Sequence, residues 1–254
     1  EIARALETRI AAESGLGELP AKFGFLVDGG GALSLAGVTA DVECRAAGEM
    51  MVIGLPESAV AVPCPPSGAA AHMCRLAFAF LELSRTQASP PRRMRALVRL
   101  VGADAVFAAA GLKADIAMSP PEVERRAPIG RIALGDRYAF ALGLPFGQLQ
   151  SGRLTQIAGI AEEFGDGLLR FAPWRAVIVA GIPSERLAGF EAKAFEAGAL
   201  TDPADPRTRI SACAGRLCQS AHADAQTDAE RLAKILKTEV SALHVSGCAK
   251  GCAH

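Results

Sequence analysis

The sequence predicts an α+β fold, and three observations carry that prediction. Half of the 254 residues are hydrophobic, enough to bury a sizeable core. After one helix-like stretch at the start, strand-like stretches precede helix-like ones up to a proline-rich segment, and the two kinds interleave beyond it. The chain then ends on two cysteine pairs that neither kind of element requires.

Residues 2–13 carry apolar side chains at helical spacing until Gly15, Gly17 and Pro20 end the run. Residues 23–27 and 32–35, on either side of Asp28-Gly29-Gly30-Gly31, predict a β-hairpin, with strands again near 40–45, 50–54 and 59–62. The glycines read as a turn and not as a phosphate loop, because no helix follows and the G-x-x-x-x-G-K-[ST] pattern is absent. Pro65-Pro66 and Pro90-Pro91 introduce helices over 69–86 and 92–111. Residues 114–130, with Pro120, Pro121 and Pro128, read as a linker.

Beyond it the pattern predicts a strand at 132–143, a helix at 153–164, strands at 168–172 and 175–180, and a helix at 184–196 capped by Ser184. This is a β-α-β-β-α unit of the ferredoxin-like kind. A helix from Thr227 or Asp228 to about 238, and a strand at 241–245, close the pattern.

The 27 basic and 27 acidic residues cancel, which excludes the overall positive field of a general nucleic-acid binder. Only six of the cations are lysines, and the 21 arginines carry forked donors suited to carboxylates or phosphates. No apolar stretch approaches the roughly 20 residues that span a bilayer, so the expectation is a cytoplasmic protein without a membrane partner. Glu1 at one end and Cys252 so near the other read as a piece of a longer chain.

Seven cysteines, unevenly spread, argue against a disulfide framework. Cys44, Cys64 and Cys74 read as small core or loop residues. Cys213-Ala-Gly-Arg-Leu-Cys218 and Cys248-Ala-Lys-Gly-Cys252, with 29 residues between them, place four thiolates on two loops that can close around one metal centre. Four cysteines satisfy a [4Fe–4S] cluster. Structural zinc stays open beside it, although zinc favours C-x2-C knuckles over these wider spacings. His72, His222 and His244 read as structural side chains, and His254 sits at the chain end.

The segments Ile210–Cys218 and His244–His254 resemble the cluster motif of the sirohaem-dependent sulfite and nitrite reductases. Three further stretches agree in order: Leu19-Pro-Ala-Lys-Phe-Gly-Phe-Leu-Val-Asp-Gly-Gly-Gly31, Gly143-Leu-Pro-Phe-Gly-Gln-Leu149 and Leu169-Arg-Phe-Ala-Pro-Trp-Arg-Ala-Val-Ile-Val-Ala-Gly181. Within that superfamily the wording looks most like the branch that oxidises a precorrin during aerobic cobalamin biosynthesis. The resemblance implies a nitrite/sulfite-reductase-like domain over 1–118, a ferredoxin-like half-domain over 119–200 and the start of an iron–sulfur domain over 201–254. Two departures stand out. The first cysteine pair is spaced by four residues where the family uses five, and the reductases' Lys-x-Lys pair appears here as Lys22 and Gly24. Losing the second lysine weakens anion reduction and favours the precorrin branch.

The resemblance further implies that Cys213, Cys218, Cys248 and Cys252 hold a [4Fe–4S] cluster. It places Lys22, Arg170 and Arg175 against the carboxylates of a tetrapyrrole substrate. The alternative for Arg170 and Arg175 is ordinary strand-edge charge paired with a neighbouring acid. In the reductases the last cysteine bridges to sirohaem iron, which would set Cys252 nearest the substrate face; sirohaem itself is expected only if the chain is a sulfite or nitrite reductase. The precorrin branch implies dioxygen as co-substrate, an external electron-donating reductase and a mononuclear non-haem iron. The sequence shows no two-histidine, one-carboxylate spacing for that iron and no dinucleotide-binding G-x-G-x-x-G. No catalytic residue is assigned.

Overall fold

A computed structural model describes residues 1–33, 35–117 and 128–252. The chain forms two compact units, Glu1–Glu124 and Arg125–His254. Among the described residues no helix is long and apolar enough to cross a membrane.

The first unit opens with α1 (Ile2–Ala12), which buries Leu6, and a 3₁₀ turn that buries Leu16. A five-stranded sheet follows in the order β1 (Phe25–Asp28), β2 (Val42–Ala47), β3 (Met50–Gly54), β4 (Val60–Cys64) and β5 (Ile116–Ala117). The expected hairpin after β1 does not form: β1 pairs with β2, in parallel, with Phe25 opposite Val42 and Asp28 opposite Arg45. The Asp28 carboxylate explains the difference. It accepts the Gly30 and Leu35 amides, both at 3.1 Å, and Arg45 Nη1 at 3.3 Å, so the glycine run closes a side loop instead of reversing the strand. Ser34, part of the expected second strand, lies outside the described residues.

Helix α2 (Pro66–Arg85) buries Ala69, Ala70, Met73, Cys74, Leu76, Ala77 and Phe80, a stripe at helical spacing. The single helix expected over 92–111 is two, α3 (Met94–Val101) and α4 (Ala103–Ala109). Gly102, at φ 84°, ends the first by donating to the Val98 carbonyl, and the chain changes direction so that Met94, Leu97, Val106 and Phe107 all reach one core. Cys44, Cys64 and Cys74 are free thiols buried in that core. Burial pushes the Cys44 thiol up to about 12, and the nearby Cys64 adds to the shift.

In the second unit the expected strand at 132–143 is a hairpin, β6 (Gly130–Leu134) and β7 (Arg137–Gly143). The two-residue turn has glycine first, with Gly135 at φ 64°, as a type II′ hairpin prefers. Next come α5 (Ser151–Phe164), β8 (Arg170–Ala172), β9 (Ala176–Pro183) and α6 (Leu187–Glu196). The strands make an antiparallel sheet in the order β6-β7-β9-β8. Phe140, Leu142, Val177 and Val179 bury one face against Ile157, Phe164 and Phe190 of the two helices. Ser184 does not cap α6; it opens a 3₁₀ turn and bonds to the Glu185 carboxylate.

The cysteine-bearing segment contributes β10 (Ile210–Ala212), α7 (Ala225–Ala233) and β11 (Leu243–Val245). Asp224, rather than Thr227 or Asp228, caps α7, accepting the Thr227 amide at 3.2 Å and its hydroxyl at 3.0 Å. This segment has its own small core, in which Phe146 meets Ile210, Ala212, Ala225, Ala229 and Ala233.

Candidate functional site

The two cysteine loops are brought together by a parallel pairing of β10 with β11, Ile210 opposite Leu243 and Ala212 opposite Val245. Because the strands run the same way, the loops that follow them leave from the same end. Cys213 follows β10, and its amide donates to the Val245 carbonyl at 3.0 Å. Its Sγ accepts the Gly247 amide at 3.2 Å and the Gly215 amide at 3.4 Å. These two N–H groups, Gly247 first, hold the Cys213 thiol below its ordinary value. Gly247 is buried, and a Cβ there would lie 2.7 Å from the Ala223 carbonyl oxygen, whose own amide bonds back to Gly247. Cys248 is half-buried, and Cys218 and Cys252 are exposed.

Among the described residues no three His, Cys, Asp or Glu side chains are gathered at liganding distance, so the structure brings the loops together without converging the four sulfurs. The donor set itself fits a thiolate-ligated group: four sulfurs sit on two adjacent loops, and one of them already receives the N–H donors that thiolates of such groups use. His244 bonds through Nδ1 to the Ser211 hydroxyl across the strand pair, and the His222 amide donates to the Gly247 carbonyl. His72 belongs to α2, where burial, and then Arg75, lower its pKa. His254 lies outside the described residues.

Lys22 is exposed on the turn before β1, in the first unit. Position 24 is a glycine whose amide donates to Asp41 Oδ2 at 2.9 Å. Arg170 and Arg175 belong to the second unit. Val177 and Val179 point into the helix-side core, so Ile178 and its β8 partner Arg170 face the other side of the sheet. Arg170 bonds to Asp166 at 2.6 Å, which holds that carboxyl below the usual carboxylate range. Arg175 is exposed and left-handed, at φ 61°. Its carbonyl accepts the Leu144 amide at 3.0 Å, and its side chain lies over Gly147.

In the sequence, Gly143–Leu149 carries the resemblance but no role. In the structure this stretch fastens the half-domain to the cysteine segment: Phe146 is buried in the segment's core, and Gln148 Nε2 donates to the Ala212 carbonyl at 3.0 Å while its Oε1 accepts from Gln226. The Leu-Pro-Phe-Gly run, a proline turn carrying an aromatic residue, was the available signal.

The sheet with its two helices, followed by paired cysteine loops, is an α+β arrangement of the nitrite/sulfite reductase-like kind. Residues 133–196 match the model of the nitrite/sulfite reductase ferredoxin-like half domain. The NirA protein of Mycobacterium tuberculosis has a similar fold, with a TM-score of 0.68 at 17% identity over 85% of this chain and 45% of that one. The chain is also similar to precorrin-3B synthase: the relative of that name from Sinorhizobium sp is 28% identical over 253 residues, 93% of this chain and 52% of the relative. The chain thus spans about half the length of each of these two proteins.

Proposed function

We propose that this chain is the part of a precorrin-3B synthase that holds a [4Fe–4S] cluster on Cys213, Cys218, Cys248 and Cys252 and offers cations to the carboxylates of precorrin-3A. The similarity to precorrin-3B synthase along nearly the whole chain carries this reading. The reaction is oxygen-dependent hydroxylation with lactone formation by a neighbouring acetate. It inserts one atom of dioxygen and releases the other as water, with two electrons and two protons drawn from an external reductase.

A bound cluster would supply electrons singly, which chemistry with dioxygen requires. The protein's part is recognition. Arg175, fixed on its turn, and Arg170, on the sheet face away from the helices, hold substrate carboxylates by charge-assisted hydrogen bonds; for Lys22, in the first unit, the same role rests on the resemblance alone. Substrate competes with Asp166 for Arg170. The Gly215 and Gly247 amides stabilise negative charge at the Cys213 sulfur. Gly24 gives no second cation of the kind an anion reductase uses, and this favours the synthase. For a mononuclear iron the described residues offer no group of three ligands, and none is assigned.

The test is anaerobic purification followed by incubation with precorrin-3A, dioxygen and a reducing system. About four irons with matching sulfide, and a product heavier by one oxygen atom that carries label from labelled dioxygen, are expected. A Soret band that survives purification would mark a resident sirohaem and turn the assignment to a sulfite or nitrite reductase; zinc in place of iron would remove the redox reading.

A further inference from the structure

Two non-glycine residues of the second unit, Phe146 at φ 57° and Arg175 at φ 61°, adopt the left-handed conformation, and they are linked. A bulky residue keeps such a backbone only where its surroundings over-determine it. Gly147, at φ 77°, supplies the link. A Cβ at Gly147 would stand 2.5 Å from Arg175 Cδ and 3.1 Å from its Cγ, so the arginine's methylenes lie directly on the glycine backbone. The Leu144 amide, on the same turn, holds the Arg175 carbonyl. On its other side the turn is anchored in the cysteine segment by the Phe146 ring and by Gln148, whose acceptor, the Ala212 carbonyl, directly precedes Cys213.

We propose that Gly147 is the positioning residue for Arg175, and that through Phe146 and Gln148 it ties the placement of the guanidinium to the cysteine-bearing segment. This rests on the reading of Arg175 as a ligand for a tetrapyrrole carboxylate. A guanidinium fork grips a carboxylate bidentately only when both N–H groups are aimed together. With a bare glycine beneath it the side chain has one flat path across the turn; any Cβ at 147 lifts it off that path.

The test uses the complete chain and two readouts: fluorescence titration with uroporphyrin, a carboxylate-rich tetrapyrrole, and urea unfolding. Gly147→Asn is the diagnostic variant, because asparagine tolerates the left-handed backbone yet adds the obstructing Cβ. Arg175→Ala and Gly147→Asn are each expected to weaken uroporphyrin binding about tenfold, the scale of one charge-assisted contact, and the double variant to bind no more weakly than either. Gly147→Asn is expected to lower the unfolding midpoint in the parent and far less in the Arg175→Ala background. Parent-like binding by Gly147→Asn, multiplying losses, or equal destabilisation in both backgrounds, including failure to fold in both, overturns the proposal. If the stability coupling is present and the parent does not bind uroporphyrin, the tetrapyrrole reading has failed, and the positioning role falls with it although the contact stands.

Discussion

The Gly247 amide and the Cys213 sulfur meet at 3.2 Å although they lie 34 positions apart in the chain. That contact joins the two cysteine loops, and it exists because Gly247 lacks a side chain where the Ala223 carbonyl passes. Gly247→Ala is therefore expected to cost about 1–3 kcal/mol, the range for forcing atoms into a filled site. Urea unfolding measures it. With the proposed cluster on these loops, iron retention after anaerobic reconstitution should fall in the same variant, since the loops separate; parent-like stability and iron content would show that the contact constrains neither.

Cys44 predicts an alkaline weakness. Its thiol is raised from the ordinary 9.0 to about 12 by burial, with Cys64 contributing, so the folded state holds a proton that the unfolded state releases. The stability from this group is complete below about pH 9 and is lost as pH rises toward about 12. Cys44→Ala should lower stability near neutrality by about 1 kcal/mol through the lost sulfur and flatten the decline above pH 9. Unfolding curves of both proteins across that range decide it, and parallel declines would refute the assignment.

Asp41 is a buried carboxylate that accepts the Met94 amide at 2.7 Å, the Gly24 amide at 2.9 Å and Arg93 Nε at 3.1 Å. Asp41→Ala strands both amides, for a loss of about 2–4 kcal/mol in denaturant unfolding. Arg93 is half exposed and can turn to water, so its charge adds little. A loss below about 1 kcal/mol would mean that water reaches the amides.

Arg170 separates a structural from a recognition role. Its ion pair with Asp166 is largely exposed, so Arg170→Ala should change stability by less than about 0.5 kcal/mol. If Arg170 holds a substrate carboxylate, uroporphyrin affinity should drop about tenfold in the same variant. Unchanged affinity would leave Arg170 with Asp166 alone.

The elements most legible in the sequence are those whose signal is local. Helix α2 announces itself by an apolar stripe repeated over five turns, and the ferredoxin-like order of strands and helices in residues 130–196 follows from the same kind of pattern. The partner of β1 was not legible, because an Asp28–Arg45 link across 17 positions, and not the neighbouring glycines, selects it. Gly102 interrupts a periodicity that reads as continuous, and only its positive φ shows that the helix breaks there. The Gly135-Asp136 turn carried a usable hairpin signal. The four cysteines were visible as a donor set, but what fastens their segment was not: Phe146 and Gln148 precede it by more than 60 residues, and no spacing rule connects them. The acid that pairs with Arg170 was foreseeable as a near neighbour, whereas the left-handed backbone of Arg175 was not.

The pairing of β10 with β11 also fixes an order of events during folding. Side-by-side strands of like direction need a crossover, and α7 lies on it, so the second pair of sulfurs reaches the first only after the intervening chain has closed. Both loops can grip one ion together only after that closure, and a chain stopped short of residue 243 would carry the first cysteine pair alone.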